Sequence, residues 1–235
     1  ANFFAGGNSK ITEYFLQRSF ITERANEQSL MTIVQDKSAS EDQKNLALNT
    51  VLEKSLIHQN YALFNQAYTF LPKNVAQYVF SDSNYVTYKK QPPLGNFVWK
   101  GTTISSKISC PDLYILTQKL QVEPKDSSLR LCLGEYMRSD KAYRLSGITE
   151  SEKQYSTLQG PIFARGQVYK EIIKSTSNTD LKAYALYRAI MCYSPGGLND
   201  CQDTDVAKSV RKQWFDQIKR DYPETSWAKS LKYYW

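Results

Sequence analysis

Residues 214–228 read Trp214-Phe215-Asp216-Gln217-Ile218-Lys219-Arg220-Asp221-Tyr222-Pro223-Glu224-Thr225-Ser226-Trp227-Ala228. Proline lacks an amide proton and pushes the residue before it out of the helical region, so a helix bearing Trp214 and Ile218 must stop near Tyr222. Thr225 or Ser226 can then accept from the free amides of a following helix, and Ala228 leaves room for that helix to lie close to its neighbour. Helix, proline stop, hydroxyl cap and helix together predict a helical hairpin.

Working outward from that turn, Gly166 and Tyr169 fall on one predicted helix, Ala183, Tyr187 and Ala189 on the next, and Pro195 at its exit. Alternation of small residues, where helices approach, with large aromatics, where they diverge, is packing information. From about Pro161 to Trp235 the chain resembles tetratricopeptide-like repeats, especially the divergent repeats of bacterial outer-membrane assembly lipoproteins, which carry a similar Tyr-Pro turn. The resemblance implies a repeat scaffold that holds other proteins. Two features depart from the pattern: the stretched spacing around Ser175-Thr176-Ser177-Asn178 and the segment between Cys192 and Cys201. Those lipoproteins also carry a lipidated cysteine near the mature N-terminus, where this sequence has Ala1.

Further upstream, Ile11, Tyr14 and Phe15, then Ile21, Leu30, Ile33 and Val34, recur at helical spacing. Ser40-Glu41-Asp42-Gln43 reads as a capping box, with Leu48, Val51, Leu52 and Leu56 as the buried stripe of the helix it opens. Tyr61, Phe64, Tyr68 and Leu71 continue the period to Pro72, as a second helix or beyond a kink. From Pro72 to Cys110 the character changes. Tyr78-Val79-Phe80, Tyr85-Val86-Thr87-Tyr88 and Phe97-Val98-Trp99, set among Ser, Asn, Pro and Gly, predict short strands or an ordered irregular connection. After Pro111, Leu113, Leu116 and Leu120 mark one helix ending at Pro124; Leu129, Leu133, Tyr136 and Met137 mark another, capped by Asp126 or Ser127. The expectation is a mainly α protein of helical hairpins or solenoid-like repeats, divided into an N-terminal helical region (1–72), an irregular or β-containing connection (73–110) and a repeat-like region (111–235).

Within 235 residues, 41% are apolar and 13% aromatic, enough for a substantial core. No apolar run approaches the roughly 20 residues of a membrane span. The chain opens Ala1-Asn2-Phe3, which fits a processed chain or a fragment of a longer one. A formal charge of +7 permits contact with an acidic partner or a membrane surface. Yet Lys208, Arg211, Lys212, Lys219 and Arg220 are interleaved with Asp216 and Asp221, the pattern of a solvated helix face, and nucleic-acid binding is not expected.

Four cysteines without a CxxC pair, and one histidine, exclude the usual zinc arrangements; no metal or cofactor is expected. Between Cys192 and Cys201 lies Tyr-Ser-Pro-Gly-Gly-Leu-Asn-Asp, a turn-forming stretch able to bring the two together. Cys110 and Cys132 would then pair, tying the entrance of one helix to the middle of the next. Four buried thiols in a cytosolic protein is the alternative. Disulfides favour export to a periplasmic, extracellular or cell-surface location.

A nucleophile–histidine–acid enzyme would have to use His58, which reads as a surface or helix-end residue. Cell-wall glycan cleavage could draw on Glu135 or Glu150; Glu150 and Glu152 lie in a polar Thr-Glu-Ser-Glu-Lys run that reads as a solvated turn. The favoured expectation is therefore non-enzymatic: a cell-envelope scaffold binding another protein or peptide, or forming a subunit of a larger assembly. Tyr85, Tyr88, Phe97 and Trp99 are the expected contact residues, because no helix stripe accounts for them.

Overall fold

A computed structural model describes residues 18–75, 94–139, 152, 154, 157–193 and 200–234. The described chain is mainly α-helical. After a π-helical turn (Phe20–Arg24) come α1 (Glu27–Gln35), α2 (Glu41–Ile57), α3 (Tyr61–Tyr68), a 3-10 turn (Leu94–Phe97), β1 (Thr102–Ser105) and β2 (Ile108–Cys110). The order continues with α4 (Leu113–Val122), α5 (Ser127–Arg138), α6 (Arg165–Ser175), α7 (Thr179–Cys192), α8 (Lys208–Asp221) and α9 (Ser226–Ser230). The predicted strands at 78–80 and 85–88 lie outside the described residues. Phe97-Val98-Trp99 is not a strand: the extended residues follow it, where Thr102 to Cys110 form an antiparallel hairpin with Thr102 opposite Cys110.

Local chemistry sets the helix boundaries. Ser40 accepts from the Gln43 amide while the Gln43 side chain accepts from the Ser40 amide, the reciprocal box expected from the sequence. α2 and α3 are separate helices. Gln59 takes φ 53°, outside the helical region, and the Asn60 side chain then caps α3 by accepting from Leu63. Asp112, Asp126, Asn178 and Thr225 cap α4, α5, α7 and α9 in the same way.

Each helix packs chiefly on its sequence neighbours: α1 on α2, α2 on α3, α3 on α4, and so on to α7, which receives α8 and α9. α2 and α5 are both deeply enclosed, with every residue from Leu46 to Leu52 and from Leu131 to Met137 buried. The 94–110 connection closes over α5 and over α3. Phe97 packs edge-on against Phe64, Trp99 lies 5.7 Å from the Tyr136 ring, and the Tyr136 hydroxyl donates to the Asn96 carbonyl. Cys110 is bonded to Cys132, so β2 is fastened to the middle of α5 as anticipated. Buried apolar side chains form one continuous cluster from Ile21 to Leu231.

The second expected disulfide, Cys192–Cys201, is also present. It closes a loop whose return segment lies on the start of α6: the Gly166 amide donates to the Cys201 carbonyl, and the Tyr193 hydroxyl donates to Asp203. A Cβ at Gly166 would collide with the Tyr193 hydroxyl and crowd Cys201. The small residue is thus required where the C-cap residue of α7, Tyr193, and the disulfide-bonded Cys201 come against the first turn of α6. In α8 the charged face is solvated except for Arg211, which is 3% exposed with its Nε and Nη2 lacking a hydrogen-bond partner among the described residues. Burial holds the Arg211 pKa below its ordinary value.

Candidate functional site

Of the four expected contact residues, Tyr85 and Tyr88 lie outside the described residues. Phe97 and Trp99 are described, and both are core: they are 2% and 6% exposed. Their aromaticity covers α3 and α5, so neither offers a face to a partner. The cysteines expected to pair do so, and no group of three or more metal-ligating side chains occurs among the described residues.

Among the described residues the large exposed apolar side chains are Phe70, Ile115, Val122, Met191 and Tyr233, and α4 carries two of them, including the most exposed. Leu113, Leu116, Thr117 and Leu120 face the core. Ile115, Gln118, Lys119 and Val122 repeat at the same helical intervals on the opposite side, because a residue two positions from an inward residue is turned about 200° from it. This is a helix with two stripes. Ile115 is 39% exposed and Val122 79% exposed. With Glu123, Asp126 and Leu129, from the α4–α5 turn and the first turn of α5, they line an open groove of about 650 Å³. Lys119 lies midway along the helical wall, and two acids mark the end where the chain turns. Asp126 is partly committed, accepting from the Leu129 amide at 2.8 Å.

α4 is a firm wall for such a groove. Its inner side stacks Tyr114 on Tyr68 at 4.4 Å, and Thr117 donates to Asn65, which in turn donates to Gln121. The signal for this outer face in the sequence is the seven-residue interval from Ile115 to Val122, which repeats one helix face.

Two charged clusters sit inside the molecule. Glu135 is 4% exposed; its carboxylate accepts from Arg138 at 2.6 Å and lies 3.8 Å from Arg188. Buried Tyr169 and Tyr184 adjoin it, their hydroxyls pushed above the ordinary tyrosine range first by burial. A general acid needs access to substrate; this carboxylate is buried beside Arg138 and Arg188. Glu150 lies outside the described residues.

The second cluster corrects the reading of His58 and Glu152. His58 ends α2, as a helix-end residue, yet it is 4% exposed, and Glu152 is 6% exposed where a solvated turn was expected. His58 Nε2 is 3.1 Å from Glu152, whose other oxygen is 3.1 Å from Lys54 Nζ. His58 Nδ1 is 3.2 Å from the Gly160 carbonyl. The described side chains of the cluster are all buried. Its chemistry is that of a buried ionic clamp.

Comparison with family models, with curated proteins and with solved structures returns no significant match to this chain.

Proposed function

We propose that this chain is a non-enzymatic helical scaffold of the bacterial cell envelope that holds an apolar segment of another protein in the groove between α4 and α5. The observation that carries the reading is the pair of exposed aliphatic side chains seven residues apart on α4, Ile115 and Val122, at the wall of the groove. A side chain such as Val122 left 79% exposed gains nothing from its own fold, whereas docking an apolar residue there removes both surfaces from water. Both walls are held by the core and by the Cys110–Cys132 bond, so little ordering cost falls on the scaffold at binding. An amphipathic helix laid in the groove would place aliphatic anchors against Ile115, Val122 and Leu129.

Two disulfides fit an oxidising compartment outside the cytosol, and no helix of the described residues is long and apolar enough to cross a membrane. Placement in a bacterial envelope rests on the likeness of the 161–235 pattern to tetratricopeptide-like assembly lipoproteins. The glycan-cleaving alternative draws no support from Glu135, which is buried beside two arginines.

The test is site-specific photo-crosslinking. A benzophenone side chain at position 122 should capture a discrete partner from envelope fractions, and Val122→Glu should abolish copurification of that partner without moving the melting temperature. The same label at exposed Gln213 on α8 should capture nothing equivalent. Equal capture from both positions, or undiminished copurification with Val122→Glu, would overturn the reading.

A further inference from the structure

The segment from Thr157 to Phe163 runs as a strap across the first helices. Thr157 donates to the Ala25 carbonyl, Leu158 is buried, Gln59 donates to the Pro161 carbonyl, and the Phe163 amide donates to the Ile57 carbonyl at 2.7 Å. At its centre Gly160 takes φ +128°, and a Cβ there would collide with the His58 carbonyl. The strap therefore sits with its backbone directly on the end of α2. It leads into α6, so it fastens the N-terminal helices to the C-terminal repeat-like region.

One ring bridges that junction. Imidazole Nδ1 faces the Gly160 carbonyl, which only accepts, and Nε2 faces the Glu152 carboxylate, which accepts when ionised. Neutral imidazole has a single N–H and can serve one of them. Both bonds require the imidazolium. Among the described residues, the charged groups acting on the ring are Glu152, which favours its protonated form, and Lys54, which opposes it.

We infer that His58 is a proton-operated latch: its imidazolium pins the strap to α2, and loss of that proton as pH rises releases the Gly160 contact. On deprotonation the remaining N–H stays at Nε2, toward the carboxylate, because a charge-assisted bond outweighs a neutral one. The Nδ1 lone pair then opposes the Gly160 oxygen lone pair. Glu152 keeps Lys54 as its counter-ion, so the cost of deprotonation falls on the strap and not on the carboxylate.

The direction of the pH response is fixed by linkage. His58 has its pKa raised above 6.5, chiefly by the hydrogen bond to Glu152, with burial working against it and the Gly160 carbonyl adding to it. A raised pKa contributes stability that is fully present below the unfolded value and is lost as pH climbs through the folded value. The latch is closed in mildly acid solution and opens on the alkaline side. This inference goes beyond the groove reading and does not depend on it.

His58 is the chain's one histidine, so its imidazole resonances can be assigned without ambiguity. The experiment follows the imidazole titration by NMR in the native protein, together with hydrogen exchange of the Phe163 amide from pH 5.5 to 9, corrected for the intrinsic rise in exchange rate. The expected result is a midpoint above 6.5, with Phe163 protection falling about tenfold across that same midpoint, as loss of a charge-assisted bond implies. In His58→Gln the protection should be low and independent of pH. An imidazole midpoint at or below 6.5, or Phe163 protection that stays flat while the ring titrates, would overturn the latch, and both measurements stand on the native protein even if the variant does not fold.

Discussion

At position 166 a hydrogen atom in place of a methyl decides how closely the disulfide loop can lie on α6. Helix propensity alone favours alanine over glycine there by about 1 kcal/mol. Against that stand the Tyr193 hydroxyl and the Cys201 Cβ, both within the volume an alanine methyl would take, and neither is a free end. Tyr193 is held by its bond to Asp203, which is itself paired with Lys170, and Cys201 is held by its disulfide. Overpacking of such a site costs about 1–3 kcal/mol and outweighs the propensity gain. Gly166→Ala should therefore lower unfolding free energy by about 1–2 kcal/mol in urea titration, and Tyr193→Phe in the same chain should restore part of the loss by removing the hydroxyl. Strict additivity of the two substitutions would show that the methyl and the hydroxyl do not compete for one space. The sequence marks Gly166 as a close-approach residue, while the part played by Cys201 comes from a disulfide loop that no local pattern places there. His58 and Glu152 were misread for a related reason. Polar local composition predicts solvent exposure, while the burial of this pair comes from a contact spanning 94 residues.

α4 shows what an element can and cannot reveal before it is packed. Its inner leucines were legible because a stripe three and four residues apart has one simple meaning, and its start at Asp112 follows from the capping rule. The outer stripe was not, since Ile115 and Val122 are separated by Gln118 and Lys119 and read singly as scattered surface residues. The connection before α4 was recognised as non-helical, yet its aromatics were given to a partner. In the structure they cap α3 and α5, which is the commoner use of large rings beside a helical core. That connection is retained by one covalent tie. Cys110–Cys132 closes a loop of 22 residues containing all of α4, and in the chain-entropy model such a loop contributes about 3 kcal/mol. The paired substitution Cys110→Ala/Cys132→Ala should lower the denaturation midpoint by a corresponding amount, read by circular dichroism under non-reducing conditions. A loss well below 1 kcal/mol would mean that β2 is held on α5 by packing alone.

Across the whole molecule, most helices pack on their sequence neighbours, and the strap at 157–163 returns the chain to the end of α2. Where the turns between amphipathic helices are short, there are few other ways to bury each stripe. Burial is nonetheless uneven along the chain. α5 is enclosed by α4, β2, α6 and α7, whereas α8 and α9 lean on α7 and bury little beyond Arg211, Trp214, Ile218 and Ala228. Arg211 weakens that end further, since burying Nε and Nη2 without hydrogen-bond partners costs free energy. Where helices pack on their neighbours, stability is a sum of local terms and neighbour interfaces, so the end with one interface opens first. Native-state hydrogen exchange in low urea should find the amides of α8 and α9 opening as a unit at lower free energy than those of α5. Fluorescence should report the same event, because Trp214, Trp227 and Trp235 are three of the chain's four tryptophans, and its change should precede the loss of far-ultraviolet dichroism. If the Ile218 and Leu133 amides instead share one opening free energy, the Tyr184–Trp227 and Tyr193–Trp214 contacts bind the last two helices into a single cooperative fold.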